Sequence, residues 1–128
     1  MNRKKILVVD DDPSVLTCYE RLLKRSGYLP VTVSDGRELE ASLEDHADAG
    51  LLILDYRMPL MDGLSLLSRL RDKGFRCPVL LVSAYATEEV RVNADRLGVC
   101  RVLEKPVGTG HLLSSIREFI DPSSPEAA

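Results

Sequence analysis

Residues 51–55 have the sequence LLILD, an uninterrupted apolar run that ends in an aspartate. An apolar run without polar alternation is typical of a strand buried on both faces, and such strands occur mainly in parallel sheets covered by helices. Three further apolar runs lead into polar side chains: Leu7–Val9 into Asp10, Asp11 and Asp12, Val79–Val82 into Ser83, and Val102 with Leu103 towards Lys105. Together these runs predict the core strands of one parallel sheet.

Amphipathic helices are predicted between these strands, together with a weaker strand at Val31–Val33. Apolar periodicity predicts helices from Pro13 to near Gly27, from Gly36 to about Leu43, from Leu64 to Gly74, from Glu88 to Leu97, and around Leu112–Ile120. Alternating strands and helices favour right-handed crossovers, with helices on both faces of the sheet. The predicted fold class is α/β, a flavodoxin-like doubly wound (βα)5 three-layer sandwich with parallel strand order 2-1-3-4-5.

Polar residues at the carboxyl ends of the predicted strands form the candidate site. In open sheets of this class, ligands bind beyond the carboxyl ends of the strands, at the point where the strand order reverses. For the order 2-1-3-4-5 this point lies between strands one and three, which end at Asp10 and Asp55. Carboxylates, a hydroxyl and an amine that converge there are suited to phosphate and metal chemistry, which points to an aspartyl-phosphate site.

Composition predicts one soluble globular domain. The chain has 128 residues, of which 45% are hydrophobic and 29% charged, and its net charge of -3 offers no general attraction to nucleic acid. Direct DNA binding would therefore need another domain. Residues 1–120 are expected to form the domain, and residues 121–128, which lack periodicity, a disordered tail or the start of a linker.

Cysteine usage and the amino terminus indicate a cytoplasmic protein. Cys18, Cys77 and Cys100 are odd in number and include no Cys-x-x-Cys pair, which argues against a disulfide framework or a zinc site. They are expected to be small core residues in a reducing compartment. The basic stretch Met1–Lys5 precedes an apolar segment too short for a signal-peptide core or a membrane span, so no membrane contact is expected.

Four segments of the chain resemble the receiver domain of bacterial response regulators: ILVVDDD at residues 6–12, LLILDYRMPLMDG at 51–63, PVLLVSA at 78–84 and VLEKP at 102–106. The resemblance covers about residues 4 to 120. It implies a phosphoacceptor at Asp55, an acidic pair at Asp10 and Asp11, a switch hydroxyl at Ser83 and a lysine of the family pattern at Lys105. It also implies a cis bond between Lys105 and Pro106.

The resemblance implies a signalling domain rather than an enzyme. The phosphoryl group would come from a histidine kinase or a histidine phosphotransfer protein. The face formed by helix four, strand five and helix five is the usual output face of the family, where an output partner or a second copy in a homodimer is expected to bind.

Magnesium is the expected cofactor. Three carboxylates in one crevice repel one another and raise each other's pKa unless a cation intervenes. Magnesium takes oxygen ligands and keeps several waters, so Asp11 and Asp55 are expected as direct ligands and Asp10 mainly through bound water. The resemblance adds the backbone carbonyl of Arg57 as a ligand. Asp12 is expected to cap helix one instead.

Val102 departs from the family pattern. Many receivers carry Tyr or Phe three residues before the lysine, where this chain has Val102. The resemblance therefore does not extend to the inward-turning aromatic ring that usually accompanies movement of the hydroxyl. Tyr85, two residues after Ser83, is the nearest aromatic residue in sequence.

Two other function classes fit the sequence less well than the receiver. The segment Asp10–Ser14 also resembles the start of haloacid-dehalogenase-like phosphatases, which use an aspartate nucleophile. No acidic pair follows Lys105, however, and that assignment leaves Asp55 without a role. A phosphorylation-independent receiver-like interaction module is the other alternative, and the complete acidic, hydroxyl and lysine set argues against it.

Overall fold

The computed structural model describes residues 3–120, in which strands and α-helices alternate. The strands are β1 Lys5–Val9, β2 Leu29–Val33, β3 Leu51–Asp55, β4 Val79–Ser83 and β5 Arg101–Glu104. The helices are α1 Pro13–Arg25, α2 Gly36–Ala41, α3 Gly63–Asp72, α4 Glu88–Arg96 and α5 Thr109–Ile120, with a 3₁₀ helix at Leu43–His46 after α2. The predicted order of elements is confirmed.

The strands form one parallel sheet in the order β2-β1-β3-β4-β5, which confirms the predicted topology. Val9 pairs with Leu54 across β1 and β3, so these two strands end at the same level. Asp55 pairs with Val82 on β4, the residue immediately before Ser83. The carboxyl ends of β1, β3 and β4 are therefore level with one another.

Two apolar cores lie on the two faces of the sheet, which explains the absence of polar alternation in the strands. One core joins the sheet to α2, α3 and α4, and the other joins it to α1 and α5. Adjacent residues of β3 illustrate the division, since Leu52 and Leu54 belong to the first core and Leu51 and Ile53 to the second. The resulting three layers are those predicted.

Some boundaries differ from the predictions. Strand β2 begins at Leu29 rather than Val31, because Leu29 and Pro30 continue the pairing with Lys5 and Ile6 of β1. Proline interrupts a strand pattern in the sequence but is tolerated on an edge strand such as this one. Helix α2 ends at Ala41 rather than near Leu43.

The expectation that all three cysteines are core residues is wrong for two of them. Cys77 is buried, whereas Cys18 and Cys100 are exposed, and all three are free thiols. Burial raises the pKa of the Cys77 thiol to about 12. The predicted tail at residues 121–128 lies outside the described residues. Across residues 3–120, the helices are all too short or too polar to cross a membrane.

Candidate functional site

Three carboxylates meet at the carboxyl ends of β1 and β3. Oxygen atoms of Asp10, Asp11 and Asp55 all lie within 4.8 Å of one another. Asp10 and Asp55 are 4% and 5% exposed, whereas Asp11 is exposed to solvent. One divalent cation could therefore contact all three carboxylates from the open side of the cluster.

Asp10 is the most enclosed member of this cluster. Its backbone N–H donates to the Val33 carbonyl at 3.2 Å, and its Oδ1 accepts a 2.9 Å hydrogen bond from the Asp12 N–H. Burial raises the pKa of Asp10, and the Asp55 charge adds to the increase, against a smaller lowering by the Asp12 N–H. Ionisation of Asp10 is thus less favourable than that of an ordinary aspartate, and a nearby cation would offset the difference.

Asp55 is paired with Lys105. The lysine Nζ lies 2.9 Å from the buried Asp55 Oδ1 in an ion pair, and among residues 3–120 this oxygen has no further hydrogen-bond partner. Burial raises the pKa of Asp55 even though Lys105 lowers it, and Asp11 raises it further. A buried carboxylate oxygen with unused acceptor capacity, beside two further carboxylates, fits a hard cation such as magnesium.

Ser83 ends β4, the strand next to β3, and Lys105 follows β5. Ser83 is 2% exposed, and its Oγ accepts a 3.1 Å hydrogen bond from the Tyr85 N–H. Its carbonyl accepts a 2.9 Å hydrogen bond from the Lys105 N–H, which joins the two strand ends. The Lys105–Pro106 bond is cis, as the resemblance implies.

Asp12 has the separate role expected of it. Its Oδ1 accepts hydrogen bonds from the Ser14 N–H at 2.9 Å and the Ser14 Oγ at 2.7 Å, so it caps the start of α1. These hydrogen bonds lower the pKa of Asp12. The side chain of Asp12 thus lies outside the cluster formed by Asp10, Asp11 and Asp55.

Two tyrosines border the site in different ways. The guanidinium of Arg57, on the loop after β3, lies over the Tyr85 ring at 5.4 Å from its centroid. Tyr19 lies on α1, where burial and the carboxylates of Asp10 and Asp55 raise its pKa to about 12. In the sequence Tyr19 falls on the apolar face of this helix, and helical periodicity contains no signal for its closeness to the carboxylates.

Gly63 lets α3 begin directly against the carboxyl end of β3. Its N–H donates to the Tyr56 carbonyl at 2.7 Å, and a Cβ atom at this position would lie 2.5 Å from the Asp55 carbonyl oxygen. Because this oxygen belongs to the backbone, it cannot move aside as a flexible side chain could. The requirement for glycine at this position is therefore a close approach between two segments rather than an unusual φ.

Gly63→Ala should destabilise the fold by about 1–3 kcal/mol, as expected for overpacking, and should displace Asp55. Chemical denaturation measures the first effect, and the rate of phosphorylation by acetyl phosphate measures the second. Gly110→Ala is the matched control, because a Cβ at position 110 of α5 would have no neighbour within 4 Å. Equal effects of the two substitutions would contradict the close-approach explanation.

The family model described as the response regulator receiver domain matches residues 6–117. The chain is 37% identical over 117 residues to the alkaline phosphatase synthesis transcriptional regulatory protein PhoP of Bacillus subtilis, covering 91% of this chain and 48% of PhoP. It is 35% identical over 117 residues to the transcriptional regulatory protein PrrA of Mycobacterium tuberculosis, covering 91% of this chain and 49% of PrrA. It thus spans about half the length of these curated relatives.

A solved CheY-like receiver domain protein from Methanospirillum hungatei has the same fold. It matches with a TM-score of 0.85 and 29% sequence identity, over 94% of this chain and 96% of that chain. A five-stranded parallel sheet with an acidic cluster at its carboxyl edge defines the structural class of this protein. Within that class, the chain belongs to the response regulator receiver domain family, and it is a signalling domain of the two-component type.

Proposed function

We propose that Asp55 is the phosphoacceptor of this receiver domain. The observation that carries the proposal is the placement of its buried carboxylate, which touches Lys105 and lies within 4.8 Å of oxygens from Asp10 and Asp11. In the transfer, an Asp55 carboxylate oxygen forms a bond to phosphorus while the phosphorus–nitrogen bond of a phosphohistidine donor breaks. The imidazole leaves with the electron pair and takes up a proton.

Magnesium is the proposed cofactor, with Asp11, Asp55 and the Arg57 carbonyl as direct ligands and Asp10 acting mainly through bound water. When bound, it would neutralise the carboxylates and the phosphoryl oxygens. The raised pKa of both Asp10 and Asp55 supports a cation in this position. The haloacid-dehalogenase-like alternative loses support, because Asp55, which it leaves without a role, belongs to the cluster with Asp10 and Asp11.

Ser83 and Lys105 are proposed to bind the phosphoryl oxygens and so to drive the switch. Moving a two-state element from 1:99 to 99:1 requires about 5.5 kcal/mol of differential binding. Hydrogen bonds to charged groups contribute roughly 1.5–3 kcal/mol each, so two of them supply about 3–6 kcal/mol before solvent screening. With Val102 unable to contribute an aromatic ring movement, we expect an incomplete shift carried by the backbone after Ser83.

The donor is proposed to be a histidine kinase or a histidine phosphotransfer protein in the cytoplasm. Output would be the changed binding of a partner, or of a second copy, at the face of α4, β5 and α5. Family membership supports these assignments. The net charge of -3 favours a protein partner over direct contact with nucleic acid.

Incubation with acetyl phosphate and magnesium tests the proposed function. Intact-mass measurement should show the addition of one phosphoryl group, and the addition should disappear when EDTA removes the metal. A protein that stays unmodified under both conditions would favour the phosphorylation-independent interaction module instead.

The contact between Arg57 and Tyr85 is expected to prolong the life of the aspartyl phosphate. In similar receivers the positions two beyond the acceptor and two beyond the hydroxyl flank the route of the attacking water. An exposed cation–π contact contributes about 0.5–1 kcal/mol, so Arg57→Ala with Tyr85→Ala should speed autodephosphorylation about two- to fivefold. Loss of phosphoryl group over time, followed by intact mass, measures the rate.

Arg76→Ala provides the control for this effect. Arg76 is an exposed arginine just before β4, at the amino ends of the strands and away from the acidic cluster. Its substitution should therefore leave the decay rate unchanged. If the double variant at Arg57 and Tyr85 decays no faster than this control, the two side chains do not shield the phosphoryl group.

A further inference from the structure

Arg71, near the end of α3, joins carbonyl groups from separate segments. Its Nε donates to the Leu97 carbonyl at 3.0 Å. Its Nη1 donates to the carbonyls of Phe75 at 3.0 Å and Cys77 at 2.9 Å. Leu97 caps the carboxyl end of α4, and Cys77 leads into β4. The half-buried guanidinium therefore ties the carboxyl end of α4 to α3 and to the sheet.

Backbone contacts hold the same end of α4. The Val99 N–H donates to the Ala94 carbonyl at 3.0 Å, and Gly98 has a φ of +77°, the left-handed conformation typical of a Schellman helix end. The Cys100 N–H then donates to the Val79 carbonyl of β4 at 2.8 Å. Because helix-end carbonyls carry partial negative charge, an arginine at this point is also electrostatically favourable.

The amino end of α4 is held differently, by hydrogen bonds within its own segment. Thr87 Oγ1 accepts from the Val90 N–H at 3.2 Å, and Arg91 Nε donates to the Ala86 carbonyl at 3.2 Å. These bonds would move with the segment, so they do not oppose a rotation of the helix. Only two side chains of the helix, at positions 90 and 94, are buried.

This amino end continues directly into the proposed switch hydroxyl. The Tyr85 N–H donates to Ser83 Oγ at 3.1 Å, so a hydroxyl drawn towards a phosphoryl group acts on the loop that begins α4. The stacking of Arg57 on the Tyr85 ring is exposed and contributes little resistance. One end of α4 is therefore connected to the site, and the other is anchored to the body of the domain.

We infer that Arg71 is the pivot of α4, so that phosphorylation swings the Thr87 end of the helix while the Leu97 end stays in place. The inference rests on the proposed function, because it assumes that Ser83 responds to the phosphoryl group. It assigns a conformational role to a residue outside the acidic site. A fixed pivot converts a small displacement near Ser83 into a rotation of the exposed face of α4, without an aromatic residue at position 102.

Amide chemical shifts with and without beryllofluoride and magnesium test the pivot. In the wild-type domain, the shift changes along α4 should be largest at Thr87–Val90 and should fall to a minimum at Leu97–Val99. In Arg71→Lys, which keeps the charge but loses the planar fork, the changes should extend to Leu97–Val99. Changes at Leu97–Val99 that equal those at Thr87–Val90 in the wild type would overturn the pivot.

Hydrogen exchange of the unmodified protein supplies a second measurement. Arg71→Lys should speed exchange of the Leu97, Gly98 and Val99 amides by roughly tenfold or more, the effect of losing a hydrogen bond to a charged group. Arg76→Lys is the matched control, because Arg76 bonds to the carbonyls of Arg71 and Phe75 rather than to α4. An unchanged exchange rate in Arg71→Lys would contradict the anchoring.

The beryllofluoride experiment distinguishes failure of the phosphoacceptor site from failure of the pivot. If beryllofluoride shifts no amide near Asp55, the proposed phosphoacceptor site is wrong. If amides near Asp55 respond but Thr87–Val90 do not, the site stands and the pivot is wrong.

Discussion

Asp55→Asn should abolish phosphorylation by acetyl phosphate and magnesium, to the limit of detection by intact mass. The amide keeps the size of the side chain but is not a nucleophile that can form the acyl phosphate. No neighbouring carboxylate should substitute, because Asp10 is held by the Asp12 N–H and Asp11 is exposed. Among the carboxylates of residues 3–120, Asp55 alone forms an ion pair with Lys105.

Asp12→Asn is the control for this loss. It removes a negative charge from the same tripeptide but leaves an asparagine, which caps a helix as well as aspartate does. Phosphorylation of this control at the wild-type level, with none in Asp55→Asn, is the expected pair of results. Wild-type phosphorylation of Asp55→Asn would move the acceptor to another residue.

The same Asp55 variant should also change the pH dependence of stability when EDTA is present. Burial raises the pKa of Asp55 in the folded state, so folding favours the protonated form. The contribution of this preference to the free energy of unfolding is fully present below the unfolded pKa of about 3.9. It is lost as the pH rises through the folded pKa. Asparagine cannot ionise, so Asp55→Asn should be more stable than the wild type at neutral pH and should lose this advantage in acid.

Thermal unfolding at neutral and acid pH, without metal, measures this difference. Magnesium should then stabilise the wild type more than the variant, because the stability that a ligand adds by binding the folded state increases with the logarithm of its affinity. A variant less stable than the wild type at neutral pH would mean that the ion pair with Lys105 outweighs the burial of the Asp55 charge.

The fold was predictable because each strand carries its own signal. LLILD at residues 51–55 and LLVS at 80–83 are apolar up to their final polar residue, and both strands are buried on both faces. Parallel pairing then brings the strand ends together, so the convergence of Asp10, Asp11 and Asp55 followed from topology rather than from sequence spacing. The pattern failed at Leu29 and Pro30, where an edge strand tolerates a residue that interior strands exclude.

Contacts made by long side chains could not be predicted in this way. Arg71 appears in the sequence as one of several surface arginines, and its three carbonyl partners lie 4, 6 and 26 residues away. Tyr19 fits the apolar face of α1 in the sequence, and that pattern would be the same whether or not carboxylates lay nearby. The exposure of Cys18 and Cys100 likewise depends on the rotation and ends of elements, which periodicity determines only approximately.

Asp11→Ala should weaken magnesium binding far more than Asp12→Ala, although the two residues are adjacent and both are exposed. Asp11 contributes an oxygen to the cluster with Asp10 and Asp55, whereas Asp12 is engaged by the N–H and hydroxyl of Ser14. Even residues that only support a metal ligand typically change affinity by roughly 10–100-fold, so loss of a direct ligand should cost at least about tenfold.

Calorimetric titration with magnesium measures the affinities of the two variants, and chemical denaturation in EDTA measures their stabilities. Asp12→Ala should keep wild-type affinity but lose stability, because the first turn of α1 loses the acceptor for its free N–H groups. Asp11→Ala should show the reverse pattern, since removing a charge from a repelling cluster does not destabilise the metal-free fold. Equal losses of magnesium affinity in both variants would mean that Asp12 leaves its capping position to bind the ion, and the separation of roles within residues 10–12 would be wrong.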